Sequence, residues 1–243
     1  MTAELESGEL IGSGRVADVF ALGKNVIKLF RGDWGKQEAF REAHILSVLE
    51  GADLPLPCVY AVRQIENRWG VEMSRAPDAT LSLTGEYLAA WMAELHWRVH
   101  QISNKPLTSL KEKLAHNIKS ATALSSELRT KLLLQLEQLP DGNCLCHGDF
   151  HPGNIMGSEQ EPYVVDWLDA TSGPADADAC RTYLLALHHA PELASHYLDA
   201  YSIASGCPVE SIISWLPIVA AARLSENVPD EESRLLTLSQ MIV

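Results

Sequence analysis

The first 75 or so residues read mostly as strands, in short apolar-rich runs set off by turn residues. Residues 16–22 and Asn25–Phe30 form two such runs, with Gly23 and Lys24 between them as a two-residue hairpin turn. The period then changes. In residues 36–51, Phe40, Ala43, Leu46 and Leu49 recur every three positions, predicting one helix face, and Gly51 can end that helix. Residues 54–65 break on two prolines and become extended again, and Asn67-Arg68 turns the chain into a further strand over 69–74. Beyond Pro77 the spacing is helical. Leu88, Trp91, Met92, Leu95, Val99 and Ile102 share one face, Leu110, Leu114 and Ile118 another, and residues 132–139 suggest one more helix. Residues 144–165 read as loops and short strands, after which Cys180, Tyr183, Leu184 and Leu187 mark a helix. The expected class is α+β. Residues 1–76 form a front lobe, an antiparallel sheet with one helix, ending in a linker over 73–78. Residues 77–243 form a mainly helical back lobe.

Composition narrows the function classes. Lys and Arg total 19 against 32 Asp and Glu, a net charge of −13 that repels nucleic-acid backbones. Five cysteines at irregular spacing fit reduced thiols and a cytoplasmic setting better than a disulfide framework. The first ten residues lack the basic-then-apolar pattern of a secretion signal. The longest apolar stretch, 212–222, contains Pro217 and falls short of the roughly 18 residues a membrane span needs, so no membrane partner is expected.

The chemistry concentrates in His147-Gly148-Asp149-Phe150-His151-Pro152-Gly153-Asn154, followed twelve residues after Asn154 by Asp166 at the end of an apolar run. Phosphoryl transfer needs a carboxylate to orient or deprotonate the attacking hydroxyl, oxygen ligands for Mg²⁺, and cations on the phosphates. Asp149 supplies the first. Asn154 and Asp166 supply an amide oxygen and a carboxylate for a hard cation that keeps several waters. The spacing matches the catalytic loop of protein kinases, with Gly148 in place of its Arg and Asp166-Trp167 where a kinase has Asp-Phe-Gly.

The segment, with its partner Asp166, resembles the aminoglycoside phosphotransferase and choline kinase superfamily, which shares the two-lobed protein-kinase-like fold and mostly phosphorylates small molecules. The likeness spans residues 9–190. It implies that ATP, with GTP as the alternative, binds between the lobes together with Mg²⁺. Gly12 and Gly14 resemble the glycine-rich phosphate loop, with Ala17 at its third glycine. Lys28 matches the strand lysine that grips phosphates; by itself it also fits the solvent face of an edge strand. Glu42 is the implied ion-pair partner, with Glu38 as rival. Met73, Ser74 and Ala76 match the linker whose backbone holds the adenine edge. Asp178 matches an Asp that braces the catalytic loop from the following helix. His147 is read as fixing the loop, and His151 and Asp169 as structural before functional.

Other features have plainer readings. Cys144, Cys146 and His147 lack the second ligand pair of a zinc site. His188-His189 reads as partly exposed helix surface, and Asp230-Glu231-Glu232 as a solvated helix start. The expected activity is a Mg-ATP-dependent small-molecule kinase. The acidic chain favours a cationic acceptor. A catalytically silent pseudokinase is the alternative. A protein kinase is disfavoured, because an Ala-Pro-Glu segment and a normal activation loop are missing after Asp166.

Overall fold

The computed structural model describes residues 8–77 and 82–241. Two expectations fall partly outside them: the N-terminal segment without a signal pattern, and the end of the linker at Asp78. The chain divides into two compact units, Met1–Ser82 with Gly153–Leu168, and Leu83–Pro152 with Asp169–Val243. The expected lobes meet once, at 76–77; these units exchange chain three times. Residues 153–168 join the first unit because Val164 N–H donates to Pro55 O (2.7 Å) and Tyr163 Oη shares a 2.6 Å hydrogen bond with Ser74 Oγ.

The first unit is built on β1 (Leu10–Ser13), β2 (Ala17–Leu22), β3 (Asn25–Phe30), β4 (Val59–Ile65) and β5 (Arg68–Ser74). They form one antiparallel sheet in the order β1-β2-β3-β5-β4. β3 is central, so residues 26–30 are all buried and the strand shows no alternation. That removes the edge-strand reading of Lys28. β4 turns into β5 through Glu66 and Asn67, both with positive φ (47° and 66°), the pattern of a type I′ turn. The turn lies one residue earlier than the sequence pattern suggested.

α1 (Gly35–Leu49) buries Ala39, Glu42, Ile45, Leu46 and Leu49. Phe40 does not join them. It is 51% exposed and leans on the Trp69 ring, centroids 5.6 Å apart. A strict spacing of three drifts around a 3.6-residue helix, which carries Phe40 about half a turn from Leu49. β7 (Ile155–Gly157) and β8 (Pro162–Val164) complete this unit as a short antiparallel pair.

The second unit is helical: α2 (Gly85–His100), α3 (Leu110–Ser120), α4 (Ser126–Gln138), α5 (Ala175–His189), α6 (Pro191–Ser205), α7 (Val209–Ile213), α8 (Leu216–Arg223) and α9 (Glu232–Ser239). Ser109 and Ser125 cap α3 and α4 by accepting from Glu112 N and Leu128 N. β6 (Cys144–Cys146) pairs with β9 (Thr171–Gly173). All five thiols are free. Among the described residues no single helix is long and apolar enough to cross a membrane. Glu231 departs from the solvated-helix reading: it is buried, with both carboxylate oxygens on the Arg223 guanidinium.

Candidate active site

In the first unit, Lys28 lies 8% exposed on the central strand. Its Nζ stands 3.0 Å from both Glu42 oxygens, donating a hydrogen bond to Oε1, and 2.7 Å from Asp166 Oδ1. Burial pulls the ammonium down, but the two carboxylates outweigh it and hold Lys28 above its ordinary value. Glu42, not Glu38, is the partner, because it falls on the buried face of α1. The Lys28–Asp166 contact joins residues 138 apart in sequence.

Asp166 follows β8 with φ of +62°, in the left-handed region that non-glycine residues seldom occupy. Asn154, 8% exposed, is brought beside it by the β7–β8 ladder, which Val165 N–H extends by donating to Asn154 O (2.9 Å). An amide oxygen and a carboxylate form a hard-donor pair of the kind Mg²⁺ accepts. The Asp166 side chain keeps 36% of its surface exposed despite the Lys28 contact, so the carboxylate is not sealed.

Gly12 and Gly14 flank the end of β1, and Gly14 N–H closes on Ala17 O (2.9 Å). A β-carbon at either would meet nothing closer than 3.6 Å, so local packing does not demand glycine there. The loop is held from β3's end by Arg31, which donates to Gly14 O and Ser13 Oγ and pairs with Asp18. Arg68 also reaches Asp18 (2.9 Å). The hydrogen bonds from Arg31 and Ser13 hold the Asp18 carboxyl far below the usual range. Sequence reading did not single out this cage.

Met73 lies inside the sheet ladder, opposite Val26 and Val59. Ser74 N–H donates to Cys58 O, and its hydroxyl serves Cys58 N and Tyr163. What Ser74 could offer a purine is therefore not its amide. Ala76 lies past the strand, half-buried.

In the second unit the loop at 147–150 is gripped from one face of α5. Asp178 accepts His147 N–H (2.6 Å) on Oδ2 and Gly148 N–H (2.9 Å) on Oδ1. Arg181 Nε donates to Gly148 O (3.2 Å), and Thr182 Oγ1 donates to Phe150 O (2.9 Å). Positions 178, 181 and 182 share a helix face by their spacing. Gly148 has φ of +83°, and a β-carbon there would lie 2.6 Å from Asp169 O, which explains glycine where a kinase has Arg. Asp169 is occupied by Lys113, which reaches its Oδ1 (2.6 Å) and its carbonyl (2.9 Å). Burial pushes the Asp149 carboxyl up, but His151, 3.5 Å away, together with Arg181 and His147, holds it far below the usual range. His147 Nδ1 accepts Asp149 N–H (3.2 Å), so His147 fixes the loop.

Sequence reading missed His96 and His100, which point from α2 at Asp178 Oδ2 (3.0 and 3.2 Å), and Tyr197 and Tyr201 of α6 behind them. Two histidines four apart on an otherwise apolar helix face were the available signal.

The model of the phosphotransferase enzyme family matches residues 7–216. No curated protein matches. A thermostable mutant of aminoglycoside phosphotransferase APH(4)-Ia, in ternary complex with ADP and hygromycin B, shares 13% identity at a TM-score of 0.68, covering 97% of this chain and 91% of that one. The streptomycin–ATP–APH(2'')-IIa complex shares 17% at 0.63, covering 98% and 94%. Aminoglycoside phosphotransferase APH(3'')-Id from Streptomyces rimosus shares 17% at 0.64, covering 85% and 89%. The fold is that of these kinase-like phosphotransferases.

Proposed function

We propose that this chain, which belongs to the phosphotransferase enzyme family, moves the γ-phosphate of ATP to a hydroxyl of a small molecule with Mg²⁺ present. The observation that carries this reading is Lys28, a buried ammonium shared by Glu42 and Asp166 at 3.0 and 2.7 Å. A charge on the central strand of a sheet is costly unless it is paired, and here one buried carboxylate positions it while a second, partly open one adjoins it. Lys28 holds the α- and β-phosphates, with Glu42 fixing its direction. Gly12 and Gly14 leave room for phosphate to approach the backbone of their loop. The purine edge lies along Met73, Ser74 and Ala76, with the carbonyl as Ser74's contribution. Asn154 and Asp166 hold Mg²⁺, which when bound neutralises charge on the transferring phosphate. Asp149, an anion even though partly buried, takes or orients the proton of the acceptor hydroxyl.

The acceptor is a hydroxylated small molecule, and the net charge of −13 favours a cationic one. A neutral sugar turning over best would refute that preference. No observation favours the pseudokinase reading, since each residue the chemistry asks for is present and Lys28 is paired. Nucleotide consumption with Mg-ATP against a panel of hydroxylated metabolites and antibiotics tests the proposal. Asp149→Ala should cost about 10²–10⁴-fold in turnover with nucleotide affinity intact, and Asp166→Ala should abolish Mg-dependent nucleotide binding. Full turnover in either variant overturns the assignment.

A further inference from the structure

Asp178 is 1% exposed and takes four hydrogen bonds, three on Oδ2 and one on Oδ1. Two come from the His147 and Gly148 amides and two from the Nε2 atoms of His96 and His100. The other ring nitrogens are engaged as well: His96 Nδ1 lies 2.7 Å from Tyr197 Oη, and His100 Nδ1 lies 2.5 Å from Tyr201 Oη. Both histidines and both tyrosines are buried, the tyrosines completely. His96 also stacks flat on Phe150, the neighbour of Asp149, at 4.1 Å.

The direction of each bond to Asp178 follows from chemistry. A carboxylate accepts only, so each Nε2 carries hydrogen. If an imidazole were protonated, its Nδ1 would also be a donor, and the tyrosine hydroxyl facing it would have to turn its hydrogen elsewhere, for Tyr197 to the Thr182 hydroxyl that itself donates to Phe150 O. With both imidazoles neutral, the chain runs from each Tyr O–H to His Nδ1, and from His Nε2–H to Asp178. We propose that Tyr197 and Tyr201, acting through His96 and His100, are positioning residues for the Asp149 loop: they fix both imidazoles as neutral Nε2–H donors that complete the Asp178 carboxylate. The role rests on the function proposed for Asp149. The relay answers a question the loop itself leaves open, namely why a buried carboxylate can hold two backbone amides without a cation beside it. Neutral donors solvate the charge in place, with no flexible side chain to move.

His96, His100 and Asp178 also lie close enough for a shared metal ion. Three features favour the relay over an ion. The hydrogen bonds already use both Nε2 atoms. Asp178 Oδ2 carries a backbone amide at 2.6 Å as well. Among the described residues no fourth His, Cys, Asp or Glu joins the group.

The test uses the full-length chain. Long-range ¹⁵N correlation of the imidazoles should show His96 and His100 as neutral Nε2–H tautomers in the wild type. An Nδ1–H tautomer, an imidazolium at neutral pH, or one equivalent of transition metal in the purified protein would overturn the relay. Tyr197→Phe and Tyr201→Phe, singly and together, should speed exchange of the His147 and Gly148 amides about tenfold in the double variant, a loss of one to two net hydrogen bonds. Turnover of Mg-ATP should fall with it while the nucleotide KM stays put. His100→Gln, whose side-chain amide can still donate to Asp178, should recover most of the protection that His100→Leu loses. Folded tyrosine variants with unchanged exchange at both amides would sink the proposal. The wild-type tautomers decide it should the double variant not fold. Exchange and imidazole signals need no turnover, so a wild type that consumes no nucleotide defeats the proposed function and leaves the relay standing.

Discussion

The two units hold their key carboxylates by opposite means. In the first, Asp166 is held by an ammonium, keeps a third of its side-chain surface open, and stands on a left-handed backbone. In the second, Asp178 is sealed and its four hydrogen bonds come from N–H groups, two of backbone amides and two of imidazoles. A carboxylate left partly open can exchange its partner, because water and incoming charges reach it even though its ammonium is buried. A saturated buried carboxylate does not exchange at all without leaving several donors stranded. The first arrangement suits a residue that must receive a ligand, and the second suits one that must keep a loop still.

Removing the sealed carboxylate tests the contrast hardest. Asp178→Leu should cost about 3–5 kcal/mol, since two amides and two imidazoles lose their acceptor. At about 2–4 °C per kcal/mol for a protein of this size, calorimetry should show a melting temperature lower by about 10 °C. A drop of a degree or two would mean that Asp178 is dispensable.

Acid should reach the sealed cluster next. Burial pushes His96 down to about 3 from 6.5. Between those values the unfolded chain binds a proton that the folded chain refuses. The stability is therefore fully present above about pH 6.5 and declines on acidification, by up to about 1.4 kcal/mol per pH unit. Asp178, also held low, acts in the same direction: its contribution is present above the unfolded carboxylate value and is lost as pH falls below it. A melting temperature that stays level from about pH 7 to 5 would contradict the neutral, buried imidazole.

The open pair should respond in binding more than in stability. Glu42→Gln leaves Lys28 its contact with Asp166 but frees its direction. Nucleotide affinity should weaken about tenfold, of the order of one charged hydrogen bond, with a far smaller thermal shift than Asp178→Leu gives. Calorimetric titration with Mg-ATP reads the first and a melting curve the second; the reverse ranking would erase the distinction between the units. The smallest effect belongs to Phe40→Ala. The ring leans on Trp69 from outside, so the loss should stay within about 1 kcal/mol. A core-sized loss would restore Phe40 to the buried face.

Much of this was legible in the residues and some of it could not be. Strand runs 17–22 and 25–30 were readable from their short apolar-rich runs and the Gly23-Lys24 turn between them. The motif at 147–154 with Asp166 was readable because its chemistry demands fixed residue types at fixed spacing. Phe40 misled because an exposed ring on another ring looks, in one dimension, like a core position. Glu231 misled because Arg223, which buries it, precedes it by eight residues across a turn. His96 and His100 were opaque for a deeper reason. Their partners lie 78–101 residues away, and a histidine on an apolar face carries no mark of what it donates to.

The excursion of residues 153–168 into the first unit governs how the chain can be made. As it emerges from the ribosome, the sheet is finished by residue 74, yet the β7–β8 hairpin that hydrogen-bonds to it, and the Asp166 that meets Lys28, arrive only after two thirds of the polypeptide has been synthesised. Until then the nascent sheet must wait with a buried lysine short of one carboxylate. A gene cut at the 82–83 junction would leave the first fragment without residues 153–168, which would stay behind on the second.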